Sequence, residues 1–223
     1  PRSTLFPYTT LFRSQNIKGF DPYKMVGTSF KLEGSRQEVG FQQSHLKKLA
    51  KKYNGLIAGA DNGKRGYNLT FAIAYIRDFM SSYHIVGETM ETSVPWSKIH
   101  AVCDAATNRL HELHKKHNLP GTPYMSYRIP QIYHTGVCIY FMFAISVKGI
   151  KNSIDIFHSI EHSMREAIIE NGGSISHHHG VGKLRKDFMV DTISPASIEL
   201  LKQIKHSHDP NNIFGIRNNV FYD

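Results

Sequence analysis

Cysteine is scarce in this sequence: Cys103 and Cys138 are the only two among 223 residues. Neither sits at a CxxC or similar ligand spacing, which excludes a disulfide framework and a zinc ribbon and fits a reducing compartment. Acidic residues are short too, with 18 against 27 Lys and Arg for a formal charge of +9. That excess favours anionic partners, whether phosphate esters, acidic lipid surfaces or nucleic acid, and chooses none of them. Long apolar runs are missing, none approaching the roughly 18 residues that span a bilayer. There is no signal peptide of charged, apolar and cleavable form. RNP-like, zinc-finger and helix-turn-helix patterns are absent, and the aromatics sit mainly in apolar-patterned elements, which argues against nucleic acid. What is present is enough apolar residue, 40% of the chain, for one sizeable core or two small ones.

The opening PRSTLFPYTTLFRSQ differs abruptly in character from the rest of the chain. Thr4 to Ser14 resemble the in-frame translation of a sequencing-library adapter, so residues 1–17 are expected to be an artefactual or disordered segment without function. There is no initiator methionine, and the natural protein is expected to continue upstream.

Further along, Met25 to Glu33 alternates in hydrophobicity and predicts a half-buried strand. Ser35 and Glu38 at capping-box spacing open a helix through Val39, Leu46, Leu49 and Tyr53, stopped by Asn54 and Gly55. Leu56 to Ala60 predicts a short strand running into DNGKRG, a turn. Leu69 to Met80 predicts a helix and Tyr83 to Thr92 a strand. Pro95, with apolar residues at Ile99, Val102, Cys103, Ala106, Leu110 and Leu113, gives the clearest amphipathic helix. Tyr124 to Tyr133 and Val137 to Val147 form a hairpin around HTG. Helices come next over Ser153 to Glu170, stopped by NGG, and from Pro195 to DPNN. The order predicts an α+β fold, an antiparallel sheet with helices on one face and the other face in need of a partner.

GGSISHHHGVGKLR, from Gly172 to Arg185, concentrates the polar chemistry. If the segment is extended, neighbouring side chains face opposite ways, so His177 and His179 can share a ligand that His178 cannot reach. HExxH is absent and no Cys or Asp stands at ligand spacing in the sequence, so no metal is expected. GVGK fails the P-loop pattern, because His177 stands where the first glycine belongs and Leu184 where a hydroxyl should follow the lysine. The dinucleotide fingerprint fails as well. Two readings remain: a solvated turn with surface histidines, or a glycine-flanked loop that brings imidazoles to a ligand. Beside Lys183, Arg185 and Lys186 such a cluster can hold an anion and shuttle protons. In Val137 to Val147 the odd-numbered residues form a core face, leaving Cys138, Tyr140, Met142, Ala144 and Ser146 on the other. Tyr140 is then a packing residue at a domain contact or a phenol for proton transfer. Arg77 is a salt-bridged surface residue or a fork for a phosphate.

Six stretches in order, DNGKRGY, AYIRD, ETSVPW, GVCIYF, GGSISHHHGVGKLRK and DPNNIFG, resemble the alkylglycerone-phosphate synthases (alkyl-dihydroxyacetonephosphate synthases), FAD flavoproteins of ether-lipid biosynthesis. The resemblance runs from about Lys18 to Val220. It implies that residues 18–223 are the C-terminal cap and substrate domain of a flavoprotein of the vanillyl-alcohol-oxidase type. FAD would be held mainly by an N-terminal domain whose Gly-rich segments are not found here, so this chain alone is expected to be inactive and to bind FAD weakly. The implied reaction exchanges the acyl group of acyl-dihydroxyacetone phosphate for a fatty alcohol on FAD. A peroxisome, a peripheral membrane surface and a homodimer are implied with it. By the same resemblance Tyr140 is the general acid/base, Arg77 binds substrate, and His177, His178 and His179 are the essential triplet. Arg217 and Asn218 match a functional tail, from which Ile216, Asn219 and Val220 depart. Two other readings stay open: the cap of a related FAD-linked 2-hydroxy-acid oxidoreductase, and a basic binding module.

Overall fold

The computed structural model describes residues 19–21 and 24–221, so the adapter-like opening lies outside them. The chain divides into two compact units between Asp78 and Phe79.

The first unit is helical. Helix α1 covers Arg36–Lys52 and opens on the predicted capping box. The Ser35 amide donates to Glu38 Oε2 at 2.7 Å and the Glu38 amide to Ser35 Oγ at 3.3 Å, so two otherwise orphaned N–H groups satisfy each other's residues. Helix α2 covers Ala60–Asn68; a 3₁₀ turn at Leu69–Ala72 then leads to α3 at Ile73–Ser81. Three expectations are overturned. Neither Met25 to Glu33 nor Leu56 to Ala60 forms a strand, and DNGKRG lies inside α2. Alternation stabilises a strand only when a neighbour completes the ladder, and this unit contains no strand among the described residues. Val26 and Phe30 are accordingly 87% and 64% exposed. A helix closes its hydrogen bonds locally and needs no partner, and Asp61 in the first turn of α2 suits its positive end.

The second unit carries a three-stranded antiparallel sheet. Its elements are β1 (Ile85–Pro95), α4 (Ile99–Lys116), β2 (Tyr124–Ile132), β3 (Gly136–Ser146), α5 (Ser153–Glu170) and α6 (Pro195–His208). The spatial order is β1-β3-β2, so β3 is central. Helices α4 and α5 contribute Val102, Ala106, Leu110, Ile160, Met164 and Ile168 to one core with the odd-numbered side chains of β3. Phe141 and Ile139 are fully buried there, each such burial contributing about 1.5–3 kcal/mol. Gly136 permits the close pairing of β3 with the end of β1, because a Cβ there would overlap the Val94 carbonyl. The fold is thus the expected α+β arrangement, with three strands where the sequence suggested five. Among the described residues no helix is long and apolar enough to cross a membrane.

Helix α6 begins on Ser194, whose hydroxyl accepts from the Ser197 amide, with Pro195 at the first turn. It ends on Asp209, which accepts from Lys205 Nζ and from the amides of Ile213 and Phe214, both at 2.9 Å. The Lys205 ammonium first, and those amides next, lower its carboxyl from 3.8 to about 2. A depressed folded value means the stabilisation is complete above the ordinary carboxylate range and is lost as pH falls through the folded value. Acidification from about pH 4 to 2 is therefore expected to release residues 209–214, read by NMR of their amides, and Asp209→Asn should abolish that step.

Candidate active site

The strand register assembles the site before any loop is considered. Tyr140 in β3 is paired with Glu91 in β1 on one side and Arg128 in β2 on the other. All three side chains leave the sheet on the face away from the core, since side chains alternate with period two. A carboxylate, a phenol and a guanidinium thus stand in a row across the strands. Cys138 shares their face, opposite Ser93.

The histidine loop reaches this face around the outer edge of β1. Gly173 allows the approach, because a Cβ there would stand 2.5 Å from Ile168 Cγ2 and 2.7 Å from Thr92 Oγ1. Beyond it the Ser174 amide donates to the Ser93 carbonyl at 3.0 Å, the Ser93 amide to Ser174 Oγ at 2.9 Å and Thr92 Oγ1 to the Ser174 carbonyl at 2.7 Å. These bonds use an edge that β3 leaves unpaired. The loop then closes on Glu91. Ser176 Oγ donates to Oε1 at 2.8 Å, the His179 amide to Oε1 at 2.9 Å, and the His177 amide to Oε2. The Glu91 side chain is left with no exposed surface. Burial pushes its carboxyl up, but the hydrogen bonds from His179, Ser176, His177 and His178 together outweigh this and hold it below the usual carboxylate range.

Bent around that carboxylate, the loop gathers all three imidazoles. The His177 and His178 rings are 5.2 Å apart and those of His178 and His179 4.5 Å. Nδ1 of His177 lies 2.9 Å from Nδ1 of His178, and Tyr133 Oη 2.7 Å from His177 Nε2. Trp96 Nε1 donates to the backbone carbonyls of Tyr133 and His134 at 3.1 and 3.2 Å, fixing the turn that carries Tyr133. His178 stacks on Tyr140 with centroids 6.1 Å apart and planes at 19°, while His179 meets the ring edge-on at 5.4 Å. The Arg128 guanidinium lies 4.4 Å from the centroid of the same phenol ring, within cation–π range. Burial lowers the His179 pKa, Glu91 opposes this, and His178 and Arg185 lower it further; the net shift is downward. Neutral His179 can accept a proton, and Arg185 Nη2 lies 3.5 Å from its Nδ1.

Of the residues singled out in the sequence, Tyr140, His177, His178 and His179 come together. Arg217 and Asn218 lie in a turn where the Arg217 amide donates to the Phe221 carbonyl, and the neighbouring Asn219 amide donates to the Gly182 carbonyl at 2.8 Å, so the tail borders the histidine loop. Arg77 belongs to the first unit, on α3, with its guanidinium 3.1 Å from the Asp78 carboxylate. The expectation that His178 points away from its neighbours is overturned: Nδ1 of His178 lies 2.9 Å from Nδ1 of His177 because the loop is bent, not extended. In the sequence no Cys or Asp stands at ligand spacing from the histidines, and no metal is expected. Folding instead brings ligand atoms of Glu91, Cys138, His177 and His178 within 4.8 Å of one another. These residues could hold a metal, although the Glu91 oxygens already accept the loop's donors and His178 Nδ1 already meets His177. Glu91, Arg128 and Tyr133 were not singled out. Only Glu91 carries a readable signal: it is a carboxylate in mid-strand, in ETSVPW, flanked by Met90 and Thr92, which the alternation assigns to the core face.

A family model described as FAD linked oxidases, C-terminal domain, matches residues 15–217. The chain is 41% identical over 201 residues to an alkyldihydroxyacetonephosphate synthase of Caenorhabditis elegans, covering 90% of this chain and 34% of that protein. It is 25% identical to the protein of that name from Dictyostelium discoideum, over 88% of this chain and 32% of the relative. A solved structure described as alkyldihydroxyacetonephosphate synthase superposes with a TM-score of 0.58 at 22% identity, over 82% of this chain and 30% of the other; at that identity it supports the fold alone. The chain spans about a third of the length of the curated relatives it matches. By the family match and the sheet that carries it, the chain belongs to the FAD linked oxidases, as their C-terminal domain.

Proposed function

We propose that this chain is the substrate-side domain of an alkyldihydroxyacetonephosphate synthase, a transferase of ether-lipid biosynthesis, with FAD held mainly by a domain outside residues 18–223. The observation that carries this reading is Tyr140, ringed on the outer sheet face by His178, His179 and Arg128. A phenol, imidazoles and a guanidinium on one face are a donor set that fits the polar edge of a flavin and the oxygens of a phosphate ester. When bound, FAD supplies the ring chemistry that lets an acyloxy group be exchanged for an alkoxy group without net redox change. The chain's own groups then handle protons and charge. Tyr140 Oη removes and returns the proton on the reacting substrate carbon. Neutral His179 and the linked His177 and His178 accept and relay protons as the fatty acid leaves and the alcohol enters. Arg77 holds the phosphate of acyl-dihydroxyacetone phosphate, for which a guanidinium fork is suited. Arg217 and Asn218 belong to a tail that supports the histidine loop through the neighbouring Asn219 amide, which donates to the Gly182 carbonyl. A peroxisomal setting, a peripheral membrane surface suited to the +9 charge and a homodimer belong to the same reading.

A second reading is a 2-hydroxy-acid oxidoreductase. It is favoured by a 48-residue match, 44% identical, to a D-2-hydroxyglutarate dehydrogenase of Stutzerimonas stutzeri. Assay of the longer FAD protein carrying this domain separates the two. Conversion of acyl-dihydroxyacetone phosphate and labelled fatty alcohol to the alkyl ether supports the synthase. Flavin reduction by 2-hydroxy acids with no ether formed contradicts it. Titrated with FAD, the present chain alone is expected to give no tight stoichiometric complex, and a tight one would overturn the proposed division of domains.

A further inference from the structure

We infer that Glu91 is a positioning residue that turns the histidine triplet into a single cluster. Its carboxylate is the template around which residues 176–179 bend. Three donors from four consecutive residues converge on it: the Ser176 hydroxyl, the His177 amide and the His179 amide. Successive backbone N–H groups pointing at one anion form a nest, the arrangement proteins use to hold phosphate or carboxylate ligands. Here the anion belongs to the protein itself. With the amides drawn inward, the imidazoles have to project outward together, which is why His177 and His178 touch through their Nδ1 atoms and why His178 and His179 both reach the Tyr140 ring.

Two features argue that the carboxylate orders the loop. Glu91 is fixed from below by strand pairing with Tyr140 in the central strand, so its position is set by the sheet. The loop flanking the cluster has glycines at 172, 173, 180 and 182, three of them at positive φ, so its own backbone preferences are weak. A rigid anchor facing a pliable segment decides the geometry. The distance between catalytic phenol and imidazole is thereby written into β1, a strand that contributes no group to the reaction. Charge-assisted bonds of this kind are roughly twice as strong as neutral ones, and their loss would leave a buried acceptor or several loop amides unsatisfied.

This inference rests on the proposed role of the triplet, and the experiment keeps the two apart. In the present chain labelled with ¹⁵N-histidine, the His177 and His179 amides are expected downfield and protected from hydrogen exchange. Glu91→Gln places an amide donor against the loop's donors. Exchange at His177 and His179 should then speed up by about tenfold or more, while amides in the core of the sheet keep their protection. A merely structural role would instead speed exchange throughout the sheet unit. Ser176→Ala removes one donor with the carboxylate intact and should give a smaller change in the same direction, which covers the case where Glu91→Gln fails to fold. Unprotected His177 and His179 amides in the unaltered chain, or amides unchanged in Glu91→Gln, would overturn the inference. In the longer FAD protein, Glu91→Gln should cut ether formation with FAD retained. If the loop amides are released and turnover stays normal, Glu91 still orders the loop, and the catalytic role of the triplet fails instead.

Discussion

Tyr140→Phe, made in the longer FAD protein that carries this domain, is expected to keep FAD bound and to slow exchange of fatty acid for alcohol by about 10²–10⁴-fold, the usual contribution of a positioned general acid or base. The substitution removes one oxygen and keeps the ring that stacks on His178 and lies under Arg128. Packing is nearly conserved, so stability should change by less than about 1 kcal/mol. The loss should therefore appear in turnover, with substrate affinity little altered. Ether formation from acyl-dihydroxyacetone phosphate, together with the flavin absorbance of the purified protein, checks both halves. Normal turnover would remove the phenol from the chemistry.

One residue further along the same strand the expectation reverses. Phe141→Ala should destabilise the sheet unit by about 3–5 kcal/mol, the cost of deleting a buried aromatic ring and leaving a cavity. Phe141 is fully buried and belongs to the core formed by β3 with α4 and α5. Its ring also meets Tyr127 at 6.1 Å, an aromatic contact that is lost with it. Urea titration should show the midpoint falling by that amount divided by the slope. The site face should suffer only as far as the sheet itself melts. The contrast between positions 140 and 141 comes from the two-residue period of a strand: one side chain meets the histidine loop and the next faces the core.

That period is why much of the second unit could be read directly. Val137, Ile139, Phe141, Phe143 and Ile145 keep one face apolar, the 153–170 helix carries its apolar stripe between Asn152 and NGG, and both elements occur where the pattern places them. Ser35 and Glu38 likewise announce α1, because a capping box is a contact between residues three apart. The misreadings share one cause. A strand is a relation between segments, so alternation at Met25 to Glu33 means nothing without a partner ladder, whereas α2 forms despite its glycines because its bonds are local. In the site, Tyr140 and the histidines were found by motif. Glu91 was not, since its importance comes from β1–β3 register and from a loop some 85 residues later, neither of which local sequence encodes. The bend of the histidine loop was lost for the same reason: the force that bends it comes from another strand.

The central claim is that phenol and imidazoles act as one unit on the outer sheet face. A double-mutant cycle on ether formation, combining Tyr140→Phe with His178→Gln in the FAD protein, tests it most directly. The double variant should be about as slow as the slower single one, because either change already disables the shared proton path. Losses that multiply, each substitution slowing the reaction by its full factor in the presence of the other, would contradict it.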